Sequence, residues 1–103
     1  MKGMGDLVRQ AQIMQKKMAK MQEEMAKRTV DASSGGGMVT VRVNGSQEVL
    51  SVTIDPVAVD PNDVEMLQDL VLAAVNEALK KSKDMVQAEM SQITGGINIP
   101  GMF

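Results

Sequence analysis

The sequence lacks the residues on which most small enzymes and metalloproteins depend. Its 103 residues include no cysteine, histidine, tryptophan or tyrosine, and only one phenylalanine. Without cysteine there are no disulfides, thiolate metal sites or thiol nucleophiles, and without histidine the usual general base near neutral pH is missing. The carboxylates have simpler roles as helix caps, turn residues and ion-pair partners. The sequence therefore predicts neither an enzyme nor a metal or cofactor site.

Long apolar runs are also absent. The longest, Leu70–Val75, is far too short to cross a bilayer. Lys2 is followed by Gly-Met-Gly-Asp, which does not match the apolar core of a signal peptide. We therefore expect a cytoplasmic protein with no membrane partner. Hydrophobic residues make up 44% of the chain, which is enough for one folded domain with a modest core.

Residues 39–54 predict a β-hairpin. Apolar and polar residues alternate on both sides of Asn44-Gly45, a strong hairpin signal, so the hairpin has one apolar face. A hairpin of this kind is not stable alone in water and needs cover from other elements. The expected strand pairs are Val41 with Leu50 and Val39 with Val52, around a loop at Asn44–Gln47.

The first predicted helix, over about Asp6–Arg28, carries a seam of apolar residues. Spacings that alternate between three and four are the heptad pattern of helices that pack lengthwise against another helix. Three interpretations of the seam are open: ordinary core packing, pairing with a second copy of the chain, and an adaptable groove for a partner peptide. The members of the seam are Met4, Leu7, Ala11, Met14, Met18, Met21 and Met25.

The charges are divided unevenly along the chain. Residues 1–28 carry seven Lys/Arg against three Asp/Glu, whereas the rest of the chain carries four against ten. On the first helix, four cations form a line about 27 Å long, roughly 160° around the helix from the seam. Such a line is either a solvated helix face or a surface that binds a polyanion, and its single sign favours the second interpretation. The basic line consists of Arg9, Lys16, Lys20 and Lys27.

The segment between the first helix and the hairpin predicts a short edge strand from Thr29 and then a loop at Ser33–Gly37. The three glycines of this loop are not followed by the Lys-Ser/Thr pair or the helix of a phosphate-binding cradle. After the hairpin, Asp55 before proline indicates an Asx-type turn.

Asp60-Pro61-Asn62-Asp63 predicts the start of a second helix over 61–91, with Asp60 as its N-cap. The middle of this helix is apolar on all sides, although the sheet can cover only one side. We therefore expect a homodimer. The tail, 94–103, has no periodic pattern and is expected to be mobile. The expected interface consists of Leu70, Val71, Ala74, Val75 and Ala78.

Three stretches resemble the YbaB/EbfC family of nucleoid-associated proteins: Met38–Gly45, Ile54-Asp55-Pro56 and Glu65–Ala78. The Met/Gln/Lys-rich first helix and the Pro-Gly-Met-Phe ending are also similar. The resemblance implies a single α+β domain over 1–103, with a basic helix in 1–28, a three-stranded antiparallel sheet in 29–54 and the second helix. It implies an intertwined, tweezer-like homodimer that binds duplex DNA with little sequence preference. It also implies a place in the bacterial nucleoid and effects on nucleoid organisation and gene expression.

The same resemblance implies that the protruding helices contact the DNA. Lysine suits phosphate contacts, and without aromatic platforms a single-strand binder is disfavoured. The pI of about 5.0 predicts DNA binding that is either weak or confined to the helix surfaces. The alternative is a dimeric adaptor for a protein partner, with incidental DNA affinity. The cations at the matching positions are Arg9, Lys16, Lys17, Lys20, Lys27 and Arg28 on the first helix and Lys80, Lys81 and Lys83 on the second.

Overall fold

The computed structural model describes residues 2–93 and has the predicted order of elements. The helices and strands are α1 (Lys2–Lys27), β1 (Thr29–Ser34), β2 (Val39–Asn44), β3 (Val49–Ile54) and α2 (Val64–Ile93). Short 3-10 helices at Gly35–Gly37 and Pro56–Ala58 follow β1 and β3. The α+β fold of helix, three-stranded antiparallel sheet and helix is thereby confirmed. The predicted mobile tail, 94–103, lies outside the described residues.

The core lies between α2 and one face of the sheet. The strand order is β1-β2-β3, and α2 packs across β1 and β2. Val39, Val41 and Val43 of the central strand have no exposed surface, because alternate side chains of a strand point to the same face. Ala74 and Ala78 of α2 are equally buried against them, and these small side chains let the helix approach the sheet closely.

The other face of the sheet is polar and open to solvent. Asp31 of β1 is paired with Arg42 of β2, and Arg42 Nε donates a hydrogen bond of 2.8 Å to Asp31 Oδ1. This bond lowers the pKa of Asp31 and raises the pKa of Arg42, since each charge stabilises the other. The pair is exposed, so it contributes mainly to cross-strand register.

The predicted register of the hairpin was wrong by two residues. Val41 pairs with Val52, and Val39 pairs with Ile54. One residue of this shift comes from an irregularity in β3 opposite Arg42 and Val43, and the other comes from a loop that begins later than predicted. A bulge of this kind inserts an extra residue that a plain alternation pattern does not reveal.

Asn44 explains why the loop also begins one residue later than predicted. It belongs to β2, and its side-chain Oδ1 accepts hydrogen bonds from the backbone N–H groups of Ser46 and Glu48 at 3.0 and 3.1 Å. Its carbonyl accepts a 2.7 Å hydrogen bond from the buried Ser82 hydroxyl of α2, which in turn accepts one from Gln47. The loop is therefore tied to α2 by a partly buried polar network.

The second helix begins at Val64, three residues later than predicted. Asp60 closes a turn, because its side chain accepts from Asn62 N–H and its carbonyl accepts from Asp63 N–H. Asp63 is the residue whose carboxylate accepts from the N–H of Met66, so Asp63 and not Asp60 provides the cap. The Asx-type turn expected at Asp55 is confirmed by a 3.0 Å bond from Val57 N–H.

Gly45 allows the C-terminal end of α1 to lie directly against the hairpin loop. Its N–H donates to the carbonyl of Met25 at 2.9 Å and to that of Arg28 at 3.2 Å. A Cβ atom at this position would lie 2.4 Å from the Met25 oxygen, where no side chain fits. The absence of a side chain at Gly45 is thus a condition for the docking of α1.

Gly45→Ala is expected to push α1 away from the loop and lower the free energy of unfolding by about 1–3 kcal/mol, as overpacking does. Urea denaturation followed by circular dichroism measures this change. Gly5→Ala is the matched control, since a Cβ at Gly5 meets no atom within 4 Å and favours the helix. Equal stability of Gly45→Ala and the parent would contradict the docking role of Gly45.

Candidate nucleic-acid interface

Within residues 2–93, helix α1 is anchored to the body only at its C-terminal end. Met21 and Met25 are buried, and together with Val86 and Met90 of α2 they line a groove between the helices. Residues 3–17, called the free arm below, are all exposed. The molecule is correspondingly elongated, with principal extents of 74 × 25 × 16 Å. A long run of good helix formers such as Ala, Met, Gln and Lys favours a helix in the arm without tertiary cover.

The basic line of α1 faces solvent along its whole length. Arg9 and Lys16 lie on the free arm, whereas Lys20 and Lys27 lie beside the anchored end. Within residues 2–93, none of these four cations forms an ion pair with a carboxylate. Their charges are therefore available to an external anion. Gln12 and Gln15 border a shallow depression next to Lys16, so amide groups that can donate hydrogen bonds lie beside the line.

The structure divides the other predicted contact cations into two kinds. Lys17 on α1, and Lys80 and Lys83 on α2, are exposed. Arg28 forms a 3.0 Å salt bridge with Glu89, and Lys81 Nζ donates a 3.1 Å hydrogen bond to the carbonyl of Asp31. These last two cations hold elements of the protomer together, so they are less available to DNA than the basic line.

The outward side of α2 leaves apolar surface uncovered. Leu72 is 60% exposed, and Leu67, Val71 and Val75 border a shallow apolar depression beside it. Of the predicted interface residues, Leu70, Val71 and Val75 are half-buried at the edge of the core. Leu72, which was not among the predicted interface residues, is the most exposed apolar side chain in this region of α2.

Ala74 and Ala78 do not lie on that outward side. Both have no exposed surface because they pack against the protomer's own sheet, so a second subunit cannot reach them. Their assignment to the interface is corrected on this ground. Because the middle of α2 is apolar on all sides, its sequence pattern did not indicate which side faces the sheet.

Strand β3 contributes a second apolar surface that the sequence assigned to the core. Val52 and Ile54 share the face of Val41 and Val39, with which they pair. They are nevertheless 45% and 36% exposed, since α2 packs on β1 and β2 and does not extend over β3. One side of the core is therefore open in the protomer.

Other kinds of site are not found in the part of the chain that the structure describes. That part contains no cluster of three or more carboxylates able to hold a metal ion. It also contains no helix long and apolar enough to cross a membrane.

Comparison with known proteins decides the family. A family model described as the YbaB/EbfC DNA-binding family matches residues 1–97. The chain belongs to this family. The resemblance seen in the sequence is thus confirmed over nearly its whole length.

Relatives in the YbaB/EbfC family are similar across the chain. A nucleoid-associated protein of Syntrophobacter fumaroxidans is 60% identical over 95 residues, which cover 92% of this chain and 86% of the relative. A nucleoid-associated protein of Moorella thermoacetica is 57% identical over 101 residues, covering 98% and 97% of the two chains. The crystal structure of the uncharacterized protein HP0035 from Helicobacter pylori is similar with a TM-score of 0.66. The two are 26% identical, and the match covers 78% of this chain and 93% of that one.

Proposed function

We propose that this member of the YbaB/EbfC family binds duplex DNA as a homodimer, through phosphate contacts made mainly by the basic line of α1. The observation that carries the proposal is a row of four cations along an exposed helix face, none of which has an ion-pair partner within residues 2–93. Relatives that share more than half of the sequence are named nucleoid-associated proteins. The proposed role is organisation of the bacterial nucleoid in the cytoplasm, with effects on gene expression and no catalytic step.

The chemistry of the line favours backbone contacts over base reading. Lysine is a flexible point charge that suits phosphates, whereas bidentate recognition of bases is the role of arginine, asparagine and glutamine. Only Arg9 in the line has a planar donor group. Duplex DNA carries one phosphate charge per about 1.7 Å of its axis, so a line about 27 Å long faces many phosphates.

The acidic body helps to define the binding surface. The chain after residue 28 carries ten acidic side chains against four basic ones. A body of this charge repels a polyanion, and the basic helix attracts it. The expected result is that DNA approaches α1 and avoids the open face of the sheet.

The homodimer is supported by the apolar surface that the protomer leaves open. The outward side of α2 around Leu72 and the uncovered face of β3 at Val52 and Ile54 carry large apolar side chains. Exposed apolar surface of this kind marks an interaction site. A second copy that covers it buries the open side of the core, and also doubles the number of basic arms that contact one duplex.

A second candidate function is a dimeric adaptor for a protein partner. It is favoured by the exposed apolar seam of the free arm, which contains Met4 and Leu7. Methionine-rich surfaces adapt to partners of different shape. In this alternative, binding to DNA is incidental.

Fluorescence anisotropy with labelled duplexes tests the DNA-binding proposal. Random-sequence, A·T-rich and G·C-rich duplexes of one length are expected to bind with affinities within about tenfold of one another, and affinity falls steeply as salt rises. A single strand of the same length controls for duplex preference. Absence of binding at low salt would contradict the proposal and favour the adaptor. A strong preference for one sequence that persists at high salt would contradict a backbone mode.

A further inference from the structure

The seam of α1 is buried at one end of the helix and open at the other. Met21 and Met25 are 5% and 3% exposed, whereas Met4, Leu7 and Met14 are 70%, 65% and 38% exposed. The open part, with Ala11 between Leu7 and Met14, is called the arm seam below. Nothing in residues 2–93 covers it, because every residue of the free arm is exposed. A stripe of this length on a slender helix is apolar surface in need of a partner.

The pattern of the arm seam specifies another helix as that partner. Alternating spacings of three and four place one side chain per half-heptad along a straight line, which fits knobs-into-holes packing between helices. A sheet edge or an irregular peptide has no matching period. The occupant of the seam is therefore a helix that presents the same repeat.

The residues that flank the seam are compatible with an identical helix. Positions beside the seam decide whether two helices attract or repel, and like charges there prevent self-pairing. On the free arm these positions are held by Gly3, Val8, Gln10, Gln15 and Lys17, of which only Lys17, at the end nearest the anchor, is charged. Two copies of the arm can therefore pack side by side with glutamine amides at the margins, and among the flanking positions only Lys17 carries a like charge.

We infer that the arm seam pairs with the arm seam of a second dimer. The inference rests on the proposed homodimer for its stoichiometry. Within α2, the outward face at Leu72 and the anchor of α1 at Met90 are 18 residues apart, about 27 Å along the helix. The face that joins two chains is thus remote from the arms and does not cover their seams.

Pairing of arms gives the protein a second capability, the bridging of two duplexes. The basic line lies roughly 160° around the helix from the seam. When two seams meet, Arg9 and Lys16 of each arm face outward on opposite sides of the pair. Each side then contacts its own duplex. The seam is short, so pairing is weak in dilute solution and strengthens where bound DNA holds many arms at high local concentration.

Because the chain contains no cysteine, single introduced cysteines can test whether two arm seams contact each other. Single cysteines are introduced at Leu7→Cys and Ala11→Cys on the seam, and at Ile13→Cys on the far side as the matched control. A disulfide forms only when two Cα atoms come within about 7 Å, so mild oxidation reports seam contact. The two seam variants are oxidised alone and mixed, with one of them tagged. Same-site bonds indicate parallel arms, and mixed bonds indicate antiparallel arms.

The expected result is disulfide-linked pairs of chains from the seam variants, at least about tenfold more than from Ile13→Cys, with or without DNA. Light scattering should give the linked material a native mass of four or more chains. Bridging is measured separately, as capture of a labelled duplex by a bead-bound duplex. Leu7→Gln with Met14→Gln should reduce capture about tenfold, while binding to one duplex is unchanged.

Several outcomes would overturn the inference. One is equal linkage of the seam variants and the Ile13→Cys control. Another is a disulfide-linked product with the native mass of two chains, when the parent protein also has the mass of two chains. That result would place the pairing of seams within one dimer. A third is disulfide linkage of the seam variants that occurs only after Gly95–Phe103 is deleted. That result would show that the tail of the chain, and not a second arm, occupies the arm seam. Disulfide linkage is also measured without DNA, so it does not depend on the DNA-binding proposal. If that proposal alone fails, the seam variants still form linked pairs but the protein binds no duplex.

Discussion

Leu72→Glu is expected to convert the proposed dimer into monomers that are largely unfolded at micromolar concentration. Leu72 is 60% exposed in the protomer, so the substitution leaves the protomer's own core intact. In the proposed dimer it places a carboxylate in an apolar interface, which costs several kcal/mol because the charge is desolvated without a partner. Small obligate dimers often have no stable monomer, and loss of association then appears as loss of folding.

Sedimentation equilibrium and urea denaturation measure the effect of Leu72→Glu. The parent should sediment at twice the chain mass of 11.1 kDa, and its denaturation midpoint should rise with protein concentration. Gln87→Glu is the matched control, since it adds the same charge at an exposed position of α2 far from Leu72. A Leu72→Glu protein that is folded and sediments as a dimer would show that this face is not the interface.

Lys16→Gln combined with Lys20→Gln is expected to weaken duplex binding by about tenfold or more at moderate salt, and by the same factor for every sequence. Both side chains are exposed, so the fold and the proposed dimer should be retained. The reason for the loss is that each lysine that contacts a phosphate releases a counterion, and a dimer loses up to four such contacts. Anisotropy titrations measure the affinities, and circular dichroism verifies the helix content.

Lys80→Gln with Lys83→Gln is the control for the α1 variant. It removes the same two positive charges from exposed positions on α2, so a general effect of the more negative net charge is the same in both variants. Stronger weakening by the α1 pair locates the binding surface on the basic line. Equal weakening, or stronger weakening by the α2 pair, would place the main contacts on α2 instead.

The order of elements was predictable because its signals are local. Alternation of valines predicted β2, Asn-Gly predicted the turn region, and Asp55 before proline predicted the bond from Val57 N–H. Each of these features depends on residues that are neighbours in sequence. The start of α2 was missed for a related reason, since Asp60 and Asp63 both have cap chemistry and only the observed bond to Met66 distinguishes them.

Features that depend on distant residues could not be read from the sequence. The strand register depends on a bulge, and the loop is closed by Asn44 together with Ser82, which lies 38 residues away. The side of α2 that faces the sheet was ambiguous because both sides are apolar. Ala74 and Ala78 therefore looked like interface residues, although they fill the protomer's core.

The candidate site shows the same division. The line of Arg9, Lys16, Lys20 and Lys27 was predictable, because helical periodicity alone places these cations on one face. The internal partners of Arg28 and Lys81 are 61 and 50 residues away in the sequence, so their engagement was not predictable. Nor did the repeat of the seam reveal that, in the part of the chain that the structure describes, the seam is buried only at its C-terminal end.

The salt dependence of duplex binding tests the central claim most directly. The logarithm of the binding constant is plotted against the logarithm of salt concentration for the parent and for Lys16→Gln with Lys20→Gln. If these lysines contact phosphates, the slope of the variant is flatter by about one unit for each lysine in contact. A folded variant whose slope and affinity equal those of the parent would show that the basic line of α1 does not bind the duplex.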